Sequence, residues 1–322
     1  MTFSVDIFSR FIDNYGDISI PLRLAHGLYV DHGVTSNVFL TSNELVQKIL
    51  DKNLFNENIN IIDIAKTDNN FLPNTNIVTI FDTQLPISYE AKLTNKNLLI
   101  NYEYFSAEQW VDDYHLKESI NKKYKKIFYI PGVSEHSGAP IFAINDNGLY
   151  GTEKLKDTNT INFFCYFNNK IEASIKVLRT NFPQYECVLH DQFYKDKSRG
   201  KNLLSFNDFD KALSNSLINF VRGEDSLIRA ILAGSPFIWQ PYIQENGLHN
   251  TKLNAFLDHY FISLPPQLRE FFLIWNNQSL NLEHWQYILK SIENLKDCYL
   301  DARQNFIKRG TGIAQINSLF IK

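Results

Sequence analysis

The apolar pattern begins with a strand-length run over residues 3–8, followed by the polar loop 12–18 and a helical period. In that period Ile20, Leu24 and Leu28 recur every fourth residue. Pro21 falls in the first turn and Gly33 just past the end, so a helix is predicted over residues 19–32. A second strand is predicted over 34–40. Thr41 or Ser42 then caps a helix over 43–50. Further strand-like runs fall at 59–62, 77–81, 97–102 and 126–130. Residues 145–160 are polar and turn-rich, with no apolar period, and read as a linker. The alternation then restarts. Strands are predicted at 160–167, 186–190, 217–222 and 236–240, and helices at 170–182, 209–214 and 226–233. From residue 249 to 321 the pattern is mostly helical.

Strands that alternate with helices predict parallel sheets. The fold class is therefore α/β, with two Rossmann-like domains facing a cleft and a helical C-terminal tail. The expected domains are residues 1–150 and 151–304, with a last helix, 305–322, packing back on the first. The length of 322 residues agrees with two domains at roughly 150 residues each.

Composition narrows the classes. Apolar residues make up 44% and charged residues 21%, enough for a sizeable core and against wholesale disorder. A net charge of −3 excludes the broad basic field of a non-specific nucleic-acid binder, so no nucleic-acid partner is expected. No apolar run approaches the roughly 20 residues that span a bilayer, so no membrane partner is expected either. The first ten residues carry Asp6 and no basic stretch before an apolar one. A signal peptide is not expected, and the expected location is the cytoplasm. Cys165, Cys187 and Cys298 are widely spaced, without a CxxC pair or zinc spacing. Buried thiols and no metal site are the expectation.

Five segments carry candidate chemistry. Asp13, Asn14, Tyr15, Gly16 and Asp17 lie directly after the first strand, where α/β sheets place their ligands. Two acids there suit a cationic, proton-donating acceptor and not a pyrophosphate. An Asx-capped turn with a helix N-terminal acid accounts for the same residues. The run from Phe220 to Ser226 sits between a strand and a helix. Gly223 permits a tight turn, Ser226 can cap or supply a hydroxyl, and helix N–H groups there can bind phosphate. An ordinary β–α turn reads the same way. Gln240 to Glu245 follows a strand, with His249 and Lys252 one turn apart beyond it. Pro131 to Gly138 is a small-residue loop that approaches a ligand or merely turns. The basic run 122–126 reads as a solvated helix face, or as a contact for an acidic partner protein.

Together these segments resemble one family, the elongation factor P arginine rhamnosyltransferases, an inverting family of the GT-B fold. The resemblance rests on Asp13-Asn-Tyr-Gly-Asp-Ile18 with Leu22-Arg23-Leu24-Ala25 behind it, and on Ser106-Ala-Glu-Gln-Trp-Val111. It continues through Pro131-Gly132, Phe164-Cys165-Tyr166 and Asp208-Phe209-Asp210. It is strongest in Asn219-Phe-Val-Arg-Gly-Glu-Asp-Ser226 and Ala233-Gly-Ser-Pro-Phe-Ile-Trp239, and extends from Gln244-Glu245 to Lys252–Asp258.

The resemblance implies transfer of L-rhamnose from dTDP-β-L-rhamnose to one arginine of elongation factor P. Transfer proceeds with inversion and without a metal or other cofactor, and the product acts on ribosomes stalled at polyproline. It implies that the first domain holds the protein acceptor and the second the nucleotide sugar. Asp17 matches the general base, Asp13 a second essential carboxylate, and Glu224 a third catalytic acid. Asn14, Tyr15, Gly16, Phe164, Tyr166, Leu203, Phe206, Arg222, Gly223, Asp225, Ser226 and Gln244 match the donor site. The chain departs from the family where Leu203 replaces an aromatic and Phe206 an amide before the Asp-aromatic-Asp motif. Those two changes keep open a GT-B transferase for another nucleotide sugar or acceptor. A module that docks elongation factor P without turnover is the reading from another class.

Overall fold

The computed structural model describes residues 3–12, 15–53, 57–67, 71–120, 123–143, 158–190, 204–243, 247–262 and 264–321. The chain divides into two compact units, Met1–Asp146 with Arg309–Lys322, and Asn147–Lys308.

The first unit contains β1 (Ser4–Ser9), α1 (Gly16–His32), β2 (Thr35–Leu40), α2 (Glu44–Lys52) and β3 (Ile59–Asp63). After these come β4 (Asn76–Ile80), α3 (Ile87–Glu90), β5 (Leu98–Tyr102), α4 (Trp110–Tyr114) and β6 (Lys125–Tyr129). The strands form one parallel sheet in the order β3-β2-β1-β4-β5-β6. The second unit contains β7 (Thr160–Phe164), α5 (Asn169–Asn181), β8 (Glu186–Leu189), α6 (Phe206–Ser214) and β9 (Ile218–Arg222). It continues with α7 (Asp225–Ala233), β10 (Phe237–Gln240), α8 (Leu248–His259), α9 (Pro266–Asn277) and α10 (Leu282–Lys308). Its parallel sheet runs β10-β9-β7-β8. The last helix, α11 (Gly312–Ile321), belongs to the first unit.

Local chemistry explains where the elements begin. Helix α1 starts at Gly16, three residues before the predicted Ser19, because the Tyr15 carbonyl already accepts the N–H groups of Ile18 and Ser19. Pro21 then lies inside the helix and cannot donate to the Asp17 carbonyl. The buried Ser9 hydroxyl donates to that carbonyl instead, at 2.5 Å. Helix α2 is capped by Asn43, not by Thr41 or Ser42. Asn43 is the extended residue, and its Oδ1 accepts from the Val46 N–H at 2.8 Å. Helix α6 begins at Phe206 and not at 209, because Ser205 caps it by accepting from the Asp208 N–H. Lys125 and Lys126 belong to strand β6 at the sheet edge, so the basic run is not a helix face; Lys122 lies outside the described residues. Lys126 pairs with Asp82 at 3.0 Å, and Lys123 donates to the Glu90 and Ala91 carbonyls. Most of the predicted linker also lies outside the described residues.

Packing follows the apolar periods. Along α10, Trp285, Ile288, Ile292, Leu295, Tyr299, Ala302 and Phe306 are buried at alternating spacings of three and four. Polar atoms fasten the same face. Trp285 Nε1 donates to the Ser174 carbonyl at 2.9 Å and the Tyr299 hydroxyl to the Phe237 carbonyl at 2.6 Å. Helix α11 packs on α1 at Gly27, where a Cβ would stand 2.0 Å from Ile313 Cδ1. A larger residue at 27 would have to push the Ile313 side chain aside. The three cysteines are free thiols, but only Cys165 is buried. Cys187 lies on the edge strand β8 and Cys298 beside the buried stripe of α10, which leaves both partly exposed. Among the described residues no helix is long and apolar enough to cross a membrane.

Candidate functional site

In each sheet the strand order reverses once. The reversal falls between β1 and β4 in the first unit and between β7 and β9 in the second. Ligands of parallel sheets bind beyond the carboxyl ends of the strands at such points. Most of the candidate residues cluster at these two places.

In the first unit Asp17 sits in the first turn of α1, directly behind the end of β1. It is buried, and its Oδ2 accepts the Ile12 N–H at 3.0 Å, which ties α1 to the segment leaving β1. The Arg10 N–H donates to Thr83 Oγ1 at 3.2 Å, joining the segments that leave β1 and β4 on either side of the reversal. Tyr15 caps α1 with its carbonyl, and Gly16 is the first helical residue. Asp13 and Asn14 lie outside the described residues. A carboxylate held in place by a main-chain donor at the positive end of a helix is well oriented to meet a cation.

The small-residue loop 131–138 follows β6. Its carbonyls are gathered by Arg309, whose Nη1 donates to Gly132 at 2.5 Å and whose Nη2 reaches Ser134 and Ser137. Burial holds this guanidinium below the usual arginine range. His115, beside it, is pushed down to about 4 by burial and by the Arg309 charge. Its Nδ1 accepts the Ile130 N–H at 3.0 Å, so the ring is held neutral.

In the second unit the turn after β9 is gripped from β10. Gly223 has φ 62°, and a Cβ there would meet the Tyr166 hydroxyl at 3.3 Å. Its N–H donates to the Gln240 carbonyl at 3.1 Å, and its carbonyl accepts from Trp239 Nε1 at 2.6 Å. The buried Gln240 side chain accepts the Tyr166 N–H at 2.8 Å. Arg222 spans the reversal. Its Nη1 donates to the Cys165 carbonyl at 2.9 Å, and its guanidinium carbon lies 4.8 Å from the Tyr166 ring centre.

Helix α7 starts immediately afterwards. Glu224 is its N-cap residue and Asp225 its first residue. Ser226 is therefore inside the first turn and is not the cap, because the helix starts one residue earlier than predicted. The first intrahelical bond is made by the Ile228 N–H to the Glu224 carbonyl at 3.0 Å. The N–H groups ahead of it present the positive end of the helix dipole.

Phe164, at the end of β7, stacks on His190 at 4.0 Å and meets the edge of Phe209 at 4.7 Å. Phe206 is the first residue of α6 and half-buried. Leu203 and Gln244 lie outside the described residues. Helices α6 and α7 are joined by Asp210 and Arg229, both buried. Arg229 Nε donates to Asp210 Oδ1 at 2.9 Å, and Nη2 makes a shorter second bond to Oδ2. Among the described residues no group of three or more His, Cys, Asp or Glu side chains converges.

Sequence reasoning flagged the segments that hold Gln240, Trp239 and Asp210 without giving those residues a role, and it did not flag Ser9, His190 or Arg229. Gln240 and Trp239 stand in flagged segments, but a lone amide or indole does not announce which backbone it will hold. Phe209 was visible in the Asp-Phe-Asp motif and was not assigned to the site.

The chain matches a family model described as "Elongation-Factor P (EF-P) rhamnosyltransferase EarP" over residues 5–201 and 197–320. It is 27% identical to a protein-arginine rhamnosyltransferase of Pseudomonas aeruginosa, with 85% of this chain and 87% of that protein covered. A structure solved for EarP-mediated arginine glycosylation of translation elongation factor EF-P superposes with a TM-score of 0.62 at 18% identity, covering 99% of both chains. The glycosyltransferase SnogD from Streptomyces nogalater superposes with a TM-score of 0.57 at 9% identity over 100% of both chains. These structural neighbours share the GT-B fold.

Proposed function

The chain belongs to the EarP family of elongation factor P rhamnosyltransferases, and from that premise we propose that it transfers L-rhamnose from dTDP-β-L-rhamnose to an arginine of elongation factor P. It is a glycosyltransferase; the donor, the acceptor and the residue roles are the content of this proposal. The observation that carries them is the placement of the family's motif residues at the strand-order reversals of both sheets.

A guanidinium is almost fully protonated at neutral pH and is a poor nucleophile. In the first unit Asp17 orients it and takes a proton from its nitrogen as the new bond forms. That nitrogen attacks the anomeric carbon from the face opposite the diphosphate. The bond from that carbon to the diphosphate oxygen breaks, its electron pair leaves with dTDP, and the configuration inverts. In the second unit the N–H groups at the start of α7, the Ser226 hydroxyl and the Arg222 guanidinium stabilise the charge that develops on the leaving oxygen. In this reading Glu224 and Asp225, at the start of α7, hold sugar hydroxyls. Tyr166 and Phe206, both half-buried, supply aromatic surface for the donor. No metal is assigned a part.

The changes at Leu203 and Phe206 favour one second reading, a transferase of the same design for a different nucleotide sugar. Intact-mass analysis of elongation factor P after incubation with the enzyme and dTDP-L-rhamnose in EDTA separates the two. A gain of one deoxyhexose on one arginine supports the proposal. No gain, beside an active relative as control, moves the donor assignment to another nucleotide sugar.

A further inference from the structure

Arg229 is 1% exposed, and the chemistry above gives it no part. Its guanidinium grips the buried Asp210 carboxylate by two bonds, Nε to Oδ1 at 2.9 Å and Nη2 to Oδ2. Two apolar side chains of that volume would hold α6 and α7 together about as well, because the cost of desolvating both charges offsets their attraction. An apolar contact has no direction, however. A fork of two parallel bonds fixes both the separation and the sliding of the helices that carry it.

The place of the pair gives that direction a use. Helix α7 starts where β9 ends, and α6 ends where β9 begins, so the first turns of both helices lie at the carboxyl edge of the sheet. Asp210 is four residues after Phe206, the first residue of α6. Arg229 is four residues after Asp225 and three after Ser226, in the first turn of α7. Residues so spaced share a helix face. On each helix the pair therefore stands one turn, about 5.4 Å, behind the residues assigned above to the donor. The far ends are held separately. Asn219 and Asn162 donate to the Leu213 and Ala212 carbonyls at the end of α6, at 3.0 and 2.9 Å. Arg303 Nε donates to the Leu232 carbonyl at the end of α7, at 2.6 Å. Those bonds tie each helix to a strand or to α10, whereas the fork ties the two helices to each other beside their ligand-bearing turns. A slip of one residue, about 1.5 Å along either axis, pulls the fork out of line.

A nucleoside diphosphate is two groups joined by a covalent link. Its affinity exceeds that of the separate groups only when the protein holds both subsites at the span of that link. We infer that Asp210 and Arg229 are positioning residues that set this span. They fix the register of Phe206, on the nucleoside side, against the N–H groups and the Ser226 hydroxyl at the start of α7, on the diphosphate side. This rests on the donor assignment made above.

The test compares dTDP with its two pieces, thymidine and inorganic pyrophosphate, each titrated into the full chain by ligand-observed NMR. Removing one charge alone unbalances a buried pair, so the informative variant changes both. Asp210→Leu with Arg229→Met keeps an apolar contact of similar volume and a melting temperature close to that of wild type. It weakens dTDP binding roughly 10- to 100-fold, as expected for ångström-scale misplacement, and leaves thymidine and pyrophosphate where they were. Arg229→Lys keeps the charge but not the fork, and shows the same split with a smaller loss of dTDP. Asp258→Ala removes the partly exposed ion pair with Arg269, 2.8 Å long and in the same unit, and changes none of the three affinities. An unchanged dissociation constant for dTDP in the folded double variant overturns the inference and leaves the donor assignment standing. So does a loss of dTDP matched by an equal loss of thymidine or of pyrophosphate, since the pair then supports one subsite and not the span between two. A wild type that does not bind dTDP overturns the donor assignment and the inference with it.

Discussion

The two sheet edges hold their candidate chemistry by different means. In the first unit the groups that hold Asp17 come from its own β1–α1 segment. The Ile12 N–H restrains the Asp17 carboxylate, and the Asp17 carbonyl is satisfied by Ser9 where Pro21 cannot donate. In the second unit they are mostly side chains from neighbouring elements. Trp239 and Gln240 grip the turn and the strand end, Arg222 crosses the reversal, and Asp210 with Arg229 joins two helices. The first arrangement fixes one carboxylate with a short loop and few atoms. The second fixes a larger surface, as a nucleotide sugar requires, and depends on residues distant in sequence. A substitution at the first edge should therefore act on chemistry with little change in donor affinity. One at the second should act on donor affinity or on the stability of its own unit.

The largest expected effect tests the first edge. Asp17→Asn keeps an oxygen to accept the Ile12 N–H but cannot take a proton. Turnover should fall roughly 10²- to 10⁴-fold while dTDP binding persists. Normal turnover in this variant would reduce Asp17 to a loop pin. Next, Asp210→Ala takes away the carboxylate that the buried Arg229 bonds twice, which should cost the second unit about 3–5 kcal/mol. Urea unfolding followed by probes in each unit would show whether the loss is confined there. At the second edge, Ser226→Ala should weaken dTDP binding by about 1.5–3 kcal/mol. An unchanged dissociation constant would remove Ser226 from the diphosphate site.

Smaller effects sharpen the contrast. Ser9→Ala leaves the Asp17 carbonyl buried without that donor and should cost about 1–3 kcal/mol of stability. Turnover should be affected as well, since the same residue carries the proposed base. A melting temperature equal to that of wild type would mean that water or another donor takes the place of Ser9. Finally, burial first and the Arg309 charge second hold His115 down to about 4, below the ordinary histidine value of about 6.5. Protonation is disfavoured in the folded state, so this contribution is complete above pH 6.5 and is lost as pH falls from 6.5 toward 4. His115→Gln should flatten the melting temperature over that interval. An identical pH profile would show that His115 does not couple to folding.

Much of the architecture was visible in the pattern of apolar residues. Alternating runs located the strands of both units, and the distribution of Gly, Pro and polar residues marked most of the turns. Boundaries slipped where one side chain decided them. Asn43 and Ser205 cap helices that propensity placed a residue or three away, and Pro21 was read as a first-turn proline although Tyr15 starts the helix earlier. Lys125 and Lys126 read as a helix face because consecutive charges suggest solvent, whereas an edge strand exposes them equally well.

The chain order of Asp17, Tyr166, Arg222–Ser226 and the Ser106–Val111 motif was written in the sequence. So were the parallel α/β class and the family resemblance, because each depends on residue type and local spacing alone. Which strands flank each reversal, which side chain grips Gly223, and that Arg229 meets Asp210 were decided by tertiary structure. Those facts depend on contacts between segments far apart along the chain. One-dimensional spacing carries no record of such pairs until the sheets have set their order.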